Sequence, residues 1–178
     1  VIDPDLLQSL PNREVTSALG EIIKYGIILD KELFDLIAEN LDDLLELKNS
    51  DLLSKVIGRC AKLKSDIVSK DEREGNRRRI LNFGHTIGHA LETHFGFEIL
   101  RHGEAISYGM LVAGRLSIEY SKFRHHQFEL LKNVIKKLPL PKLPDFNAQD
   151  IIQIMQNDKK KQSGSQYFIL LENIGSAV

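Results

Sequence analysis

Residues 14–30, EVTSALGEIIKYGIILD, place Val15, Leu19, Ile22 or Ile23 and Ile27 at helical spacing, and the same period returns along most of the chain. A second helix is predicted to follow Asp30 as N-cap, with Phe34, Ile37, Leu41 and Leu44 on one face. A third is predicted over 51–69, where Leu52, Leu53, Val56, Ile57, Cys60, Leu63 and Ile67 make a continuous stripe. In 102–120, HGEAISYGMLVAGRLSIEY, the small residues Ala105, Gly109 and Ala113 fall at i, i+4, i+8 and let another helix approach closely. An amphipathic helix over 127–138 is ended by the proline-rich 138–146, and a short helix is expected over 150–155. One run, 166–171, reads as a strand. The expected fold is therefore mostly α, a multi-helix array in a single domain over 1–178, with a short β element near the C-terminus.

The length of 178 residues is enough to bury a core without disulfide or metal staples. Charged residues are 28% and hydrophobic residues 42%, which excludes a disordered chain. With 24 Lys+Arg against 25 Asp+Glu, nothing global points to nucleic acid or to a membrane surface, so any bound anion must be gripped locally. The single Cys60 fits a reducing compartment, and no run approaches the roughly 18 apolar residues of a membrane span. A cytoplasmic location is expected. The first residue is Val rather than Met, which leads to the expectation that the chain is part of something longer.

Four of the six histidines, His85, His89, His94 and His102, fall within an 18-residue window. His85 and His89 at i, i+4 would share a helix face, a spacing that suits one metal ion or exposed imidazoles equally. Upstream lies a dense polar run: Asp71, Glu72, Arg73, Glu74, Arg77, Arg78, Arg79 and Asn82. Arg78, Asn82, His85 and His89 step by four, three and four, as they would along one helical face lining a wet cleft for an anionic substrate. Glu21 and Lys24 stand at i, i+3 inside an apolar run, either as an exposed pair or as a buried ligand and cation aimed at one site.

GEIIKYGIILD, DEREGNRRRILNFGHTIGHALE, HGEAISYGM and the late DKKKQSG, in this order, closely resemble segments of the 3-dehydroquinate synthases, lyases of the shikimate pathway of aromatic amino-acid biosynthesis. The resemblance runs from LQSLPNRE to NIGSA and covers the C-terminal helical domain of that family; the N-terminal Rossmann-like NAD domain is not represented, and no GxGxxG segment occurs. It implies conversion of 3-deoxy-D-arabino-heptulosonate 7-phosphate to 3-dehydroquinate and phosphate, with NAD and one divalent metal, usually zinc and otherwise cobalt, in a full-length homodimer of which this chain alone is inactive. Carried over by motif, the metal ligands are Glu21, His85 and His102. Here the resemblance departs from the spacing, since it moves His89 from the metal to the substrate, relaying a proton with Glu74.

The resemblance further implies that Lys24, Lys64, Asp71, Arg78, Asn82, His89 and Lys160 of DKKK contact substrate, with Lys24 also catalytic, and that Leu6, Leu7, Gln8 and Ser9 touch NAD. Arginine offers a fork to a carboxylate, lysine a compact charge to phosphate. Ser9 stands where the family commonly has Thr, Gly20 where it has Ala, and the glycine of EGNRR is displaced. Two alternatives stay open: another sugar-phosphate cyclase, or a stand-alone metal-binding or oligomerisation module.

Overall fold

The computed structural model describes residues 3–70, 77–96, 98–161 and 167–178. A 3-10 helix over Pro4–Ser9 leads into α1 (Asn12–Leu29), followed by α2 (Lys31–Glu39), α3 (Leu41–Leu45) and α4 (Ser50–Lys70). A second 3-10 helix, Arg77–Asn82, precedes α5 (His85–Phe95), α6 (His102–Tyr120), α7 (His125–Lys137) and α8 (Ala148–Lys161). Strands β1 (Leu171–Asn173) and β2 (Ser176–Ala177) form an antiparallel pair. The expected helical array with a C-terminal β element is what the chain adopts.

Helix α1 is the axis of the main core. Ile23 and Ile27 are fully buried and Leu19 nearly so, packed with Leu33, Phe34 and Ile37 of α2, Val56 of α4, Ile106 and Met110 of α6, and Leu131 and Ile135 of α7. A smaller cluster of Ile87, Ala90 and Leu91 on α5, Leu100, Ala105 and Ile151 joins α8 to the α5–α6 pair. The terminal hairpin closes over α1, where the Gly175 N–H donates to the Ile27 carbonyl at 2.7 Å. Among the described residues no helix is long and apolar enough to cross a membrane.

Several boundaries differ from the sequence expectation. The face from Phe34 to Leu44 is divided, because the Asn40 side chain donates to the Leu36 carbonyl at 2.8 Å and its backbone leaves the helix. All four apolar residues are nonetheless buried, since α3 restarts at once. The stripe from Arg78 to His89 does not lie on one α-helix. Arg77–Asn82 winds as a 3-10 helix and Gly84 turns the chain at φ +78° before α5 begins. The helix expected over 150–155 extends to Ala148–Lys161. The strand predicted at 166–171 forms instead at Leu171–Asn173, where the turn at Ile174–Gly175 supplies a partner; Gln166 lies outside the described residues.

Candidate metal centre

The site is built where the N-terminal ends of α5 and α6 meet the middle of α1. Glycines set that geometry. The Gly109 backbone of α6 lies so close to α5 that a Cβ there would stand 2.0 Å from the Gly84 carbonyl oxygen. Of the small-residue stripe on α6, Gly109 serves the α5–α6 contact, whereas Ala113 packs in the main core. On the other side, a Cβ on Gly20 would lie 2.3 Å from the Gly103 carbonyl oxygen, so the glycine found at this position lets α6 sit against α1.

A polar clamp fixes the start of α6. Glu104, with a fully buried side chain, accepts from Arg13 Nε at 2.7 Å and Nη2 at 2.8 Å, and from the Arg101 backbone N–H at 2.8 Å. Arg13 Nη2 also donates to the Ile99 carbonyl at 2.7 Å, and the Gly103 N–H donates to Ser17 Oγ at 3.0 Å. These contacts hold His102, the first residue of α6, over Glu21 on α1. Replacing Arg13 with Ala strands a buried carboxylate. Discounted for the exposure of Arg13, the expected loss is about 2–3 kcal/mol, read from the urea midpoint, with little rescue by Lys because one ammonium cannot reproduce the fork.

Three groups converge. Glu21 Oε1 lies 3.7 Å from His85 Nε2 and 3.7 Å from His102 Nε2. The other carboxylate oxygen, Oε2, accepts from Lys24 Nζ at 2.8 Å, whereas Oε1 is buried and has no hydrogen-bond partner. An orphaned carboxylate oxygen facing two imidazole nitrogens is the arrangement a cation completes. Ligand atoms around a tetrahedral zinc stand about 3.3–3.6 Å apart, so the two separations from Glu21 Oε1 exceed that range only slightly. A divalent metal therefore fits this donor set. His85, His89 and His102 also bring their ring nitrogens within 4.8 Å of one another, so proximity alone offers a second, all-histidine set. The unpartnered Oε1 favours the set containing Glu21, because a buried carboxylate oxygen is costly unless something satisfies it.

The electrostatics agree with a ligand role for His85. Burial first, and then the nearby Lys24 charge, lower its pKa to about 4, leaving the imidazole neutral with a lone pair to offer at neutral pH. Lys24 is 3% exposed; burial depresses its pKa, Glu21 opposes this, and the like charge of Lys64 adds to it. The pair is not the exposed one: Lys24 is buried and donates to a Glu21 carboxylate that is itself about one-third exposed. Cys60 plays no visible chemical part: burial raises its thiol to about 11.

His89 is exposed, with its ring 5.3 Å from that of His85 and 5.7 Å from that of His102. Arg78 is half-buried, and Asn82 and Lys64 are exposed. Asp71 and Glu74 lie outside the described residues, as does the side chain of Lys160 in α8. Leu6, Leu7, Gln8 and Ser9 occupy the first 3-10 helix, where Leu6 is 72% exposed. His94 packs on Phe95 and Phe146 away from the cluster, and His125 and His126 are surface residues. The sequence reading missed Glu92, a buried acid whose carboxylate meets His102 Nδ1. Its spacing of seven from His85, two helical turns along one face, was the available signal.

A family model described as 3-dehydroquinate synthase C-terminal matches residues 18–161. The chain belongs to this family. Among relatives of the 3-dehydroquinate synthase C-terminal domain, the 3-dehydroquinate synthase of Prochlorococcus marinus (strain MIT 9312) is 44% identical over 177 residues, covering 98% of the chain and 48% of that protein. That of Alkaliphilus metalliredigens (strain QYMF) is also 44% identical, covering 99% of the chain and 49% of that protein. The chain thus spans about half the length of the curated relatives it matches. In structure it is similar to ValA, a 2-epi-5-epi-valiolone synthase from Streptomyces hygroscopicus subsp. jinggangensis 5008 solved with NAD+ and Zn2+ bound. The TM-score is 0.86 at 27% identity, covering 99% of the chain and 49% of that protein.

Proposed function

We propose that this chain is the metal- and substrate-binding half of a 3-dehydroquinate synthase, which converts 3-deoxy-D-arabino-heptulosonate 7-phosphate to 3-dehydroquinate and phosphate. The observation that carries the reading is the unpartnered Glu21 Oε1 facing His85 and His102, in a chain 44% identical to a 3-dehydroquinate synthase. ValA, a valiolone-forming cyclase, is 27% identical, which supports that activity less.

On this reading Glu21, His85 and His102 would hold the divalent metal. When bound, the metal supplies a Lewis acid that acidifies a substrate hydroxyl, and NAD supplies a reversible hydride acceptor. The chain's own residues do the rest. Lys24 donates to Glu21 Oε2 and keeps positive charge beside the carboxylate. Arg78 gives a fork to the substrate carboxylate, and Lys64 and Lys160 give compact charge to the phosphate. Asn82 and Asp71 contact the substrate, while His89 relays a proton with Glu74. Leu6, Leu7, Gln8 and Ser9 present an exposed segment to the dinucleotide. This cationic lining reconciles an anionic substrate with a net charge of −1.

Because the relatives are about twice as long, the activity is expected to need the half that this chain does not span. Incubated with substrate, NAD and zinc, the chain alone should release no phosphate. Adding the separately produced N-terminal half of a relative should restore phosphate release and 3-dehydroquinate, identified by mass and retention. Turnover by the chain alone would refute the two-half reading, and a different carbocycle in the complemented reaction would point to another cyclase.

A further inference from the structure

Glu92 sits in the last turn of α5, and its side chain is 5% exposed. A carboxylate so placed is costly unless it is paired, and an apolar residue beside the buried Leu91 would fill the space at lower cost. Its partner is the imidazole of His102, whose Nδ1 lies 3.3 Å from both Glu92 oxygens. The opposite ring nitrogen, Nε2, faces Glu21 Oε1.

The two histidines solve one problem in different ways. His85 Nδ1 lies 3.2 Å from the Phe83 carbonyl oxygen, so the backbone accepts its N–H and leaves Nε2 as the free lone pair. His102 is the first residue of α6 and 46% exposed, so packing does little to hold its ring. A carboxylate on Nδ1 supplies what the backbone supplies for His85. It selects the tautomer with the proton on Nδ1, stops ring rotation, and keeps the Nε2 lone pair on the Glu21 side.

We infer that Glu92 is a positioning residue of the metal centre, accepting the Nδ1–H of His102 and so aiming Nε2 at the position shared with Glu21 Oε1 and His85 Nε2. The inference rests on the ligand set proposed above. Glu92 touches neither metal nor substrate; it acts through His102. Its place at two turns from His85 means that one face of α5 carries a ligand, the proton-transfer histidine His89 and the group that orients the ligand on the next helix.

The test is zinc affinity, measured by competition with a chromophoric chelator, for the parent protein, Glu92→Ala, Glu92→Gln and His102→Ala. Glu92→Ala should bind zinc about 10–100-fold more weakly, while Glu92→Gln, whose amide oxygen accepts the same N–H, should stay within about threefold of the parent. Urea midpoints without metal should remain close for these two variants, which separates aiming from folding. If Glu92→Ala does not fold, Glu92→Leu fills the same buried site and carries the comparison. Parent-like affinity in Glu92→Ala, or a loss in Glu92→Gln as large as in Glu92→Ala, would overturn the positioning role. Retention of zinc by His102→Ala would instead overturn the ligand set beneath it.

Discussion

Glu21→Gln, His85→Ala and His102→Ala should each lower zinc affinity by more than about 100-fold, beyond the range that orienting groups control, and abolish turnover in the complemented reaction. His89→Ala should bind zinc within a fewfold of the parent and still lose turnover. The contrast matters because His85, His89 and His102 stand close enough to form a site without the carboxylate. Zinc retained by Glu21→Gln but lost by His89→Ala would establish the all-histidine set and remove the proposal. Glutamine is the informative replacement at position 21. It preserves the side-chain shape beside buried Lys24, whereas Ala would leave that ammonium unpaired and confuse loss of metal with loss of fold. A second readout is thermal. Zinc at about 100 times the parent's Kd should add roughly 2.7 kcal/mol to the parent's stability, near 5–11 °C in Tm for a domain of this size, and at most about 0.4 kcal/mol to the three ligand variants.

The helices were legible because each buries one stripe at a regular period; α4 was predicted within a residue at each end. The α2–α3 break was not, since Asn40 interrupts the backbone while every apolar residue keeps its place. Spacing was least informative at the site. His85 and His89 sit on one helix at an interval suited to a shared metal, yet the orphaned oxygen of Glu21 faces His102, seventeen residues beyond His85. No local period encodes that meeting, which depends on α6 lying against both α1 and α5. The resemblance pointed to Glu21 and His102 beside His85, a grouping that periodicity does not suggest. Glu92 escaped both, because a buried acid at helical spacing reads in sequence like any exposed charge.

Gly103→Ala should be the most damaging alanine substitution among the described glycines. A Cβ at this position would stand 1.7 Å from the Ser17 carbonyl oxygen and 2.6 Å from its carbon. Both are backbone atoms of α1, so no side-chain rotation can relieve the clash and the two helices must separate. Overpacking a core costs 1–3 kcal/mol in typical cases, and contact with rigid backbone places this one at about 3 kcal/mol or more, a Tm loss of at least 6 °C. Separation also stretches the Gly103 N–H bond to Ser17 Oγ and carries the neighbouring His102 away from Glu21. Zinc affinity should therefore fall with stability, although no ligand has been touched. Gly58→Ala is the control. It lies inside α4 with nothing within 4 Å of the added methyl, and there the substitution should stabilise by about 0.5–1 kcal/mol through helix propensity. Differential scanning calorimetry with and without zinc reads both. A Gly103→Ala protein with the parent's Tm and zinc shift would mean that α1 and α6 do not approach so closely, and the convergence of Glu21 with His102 would lose its structural basis.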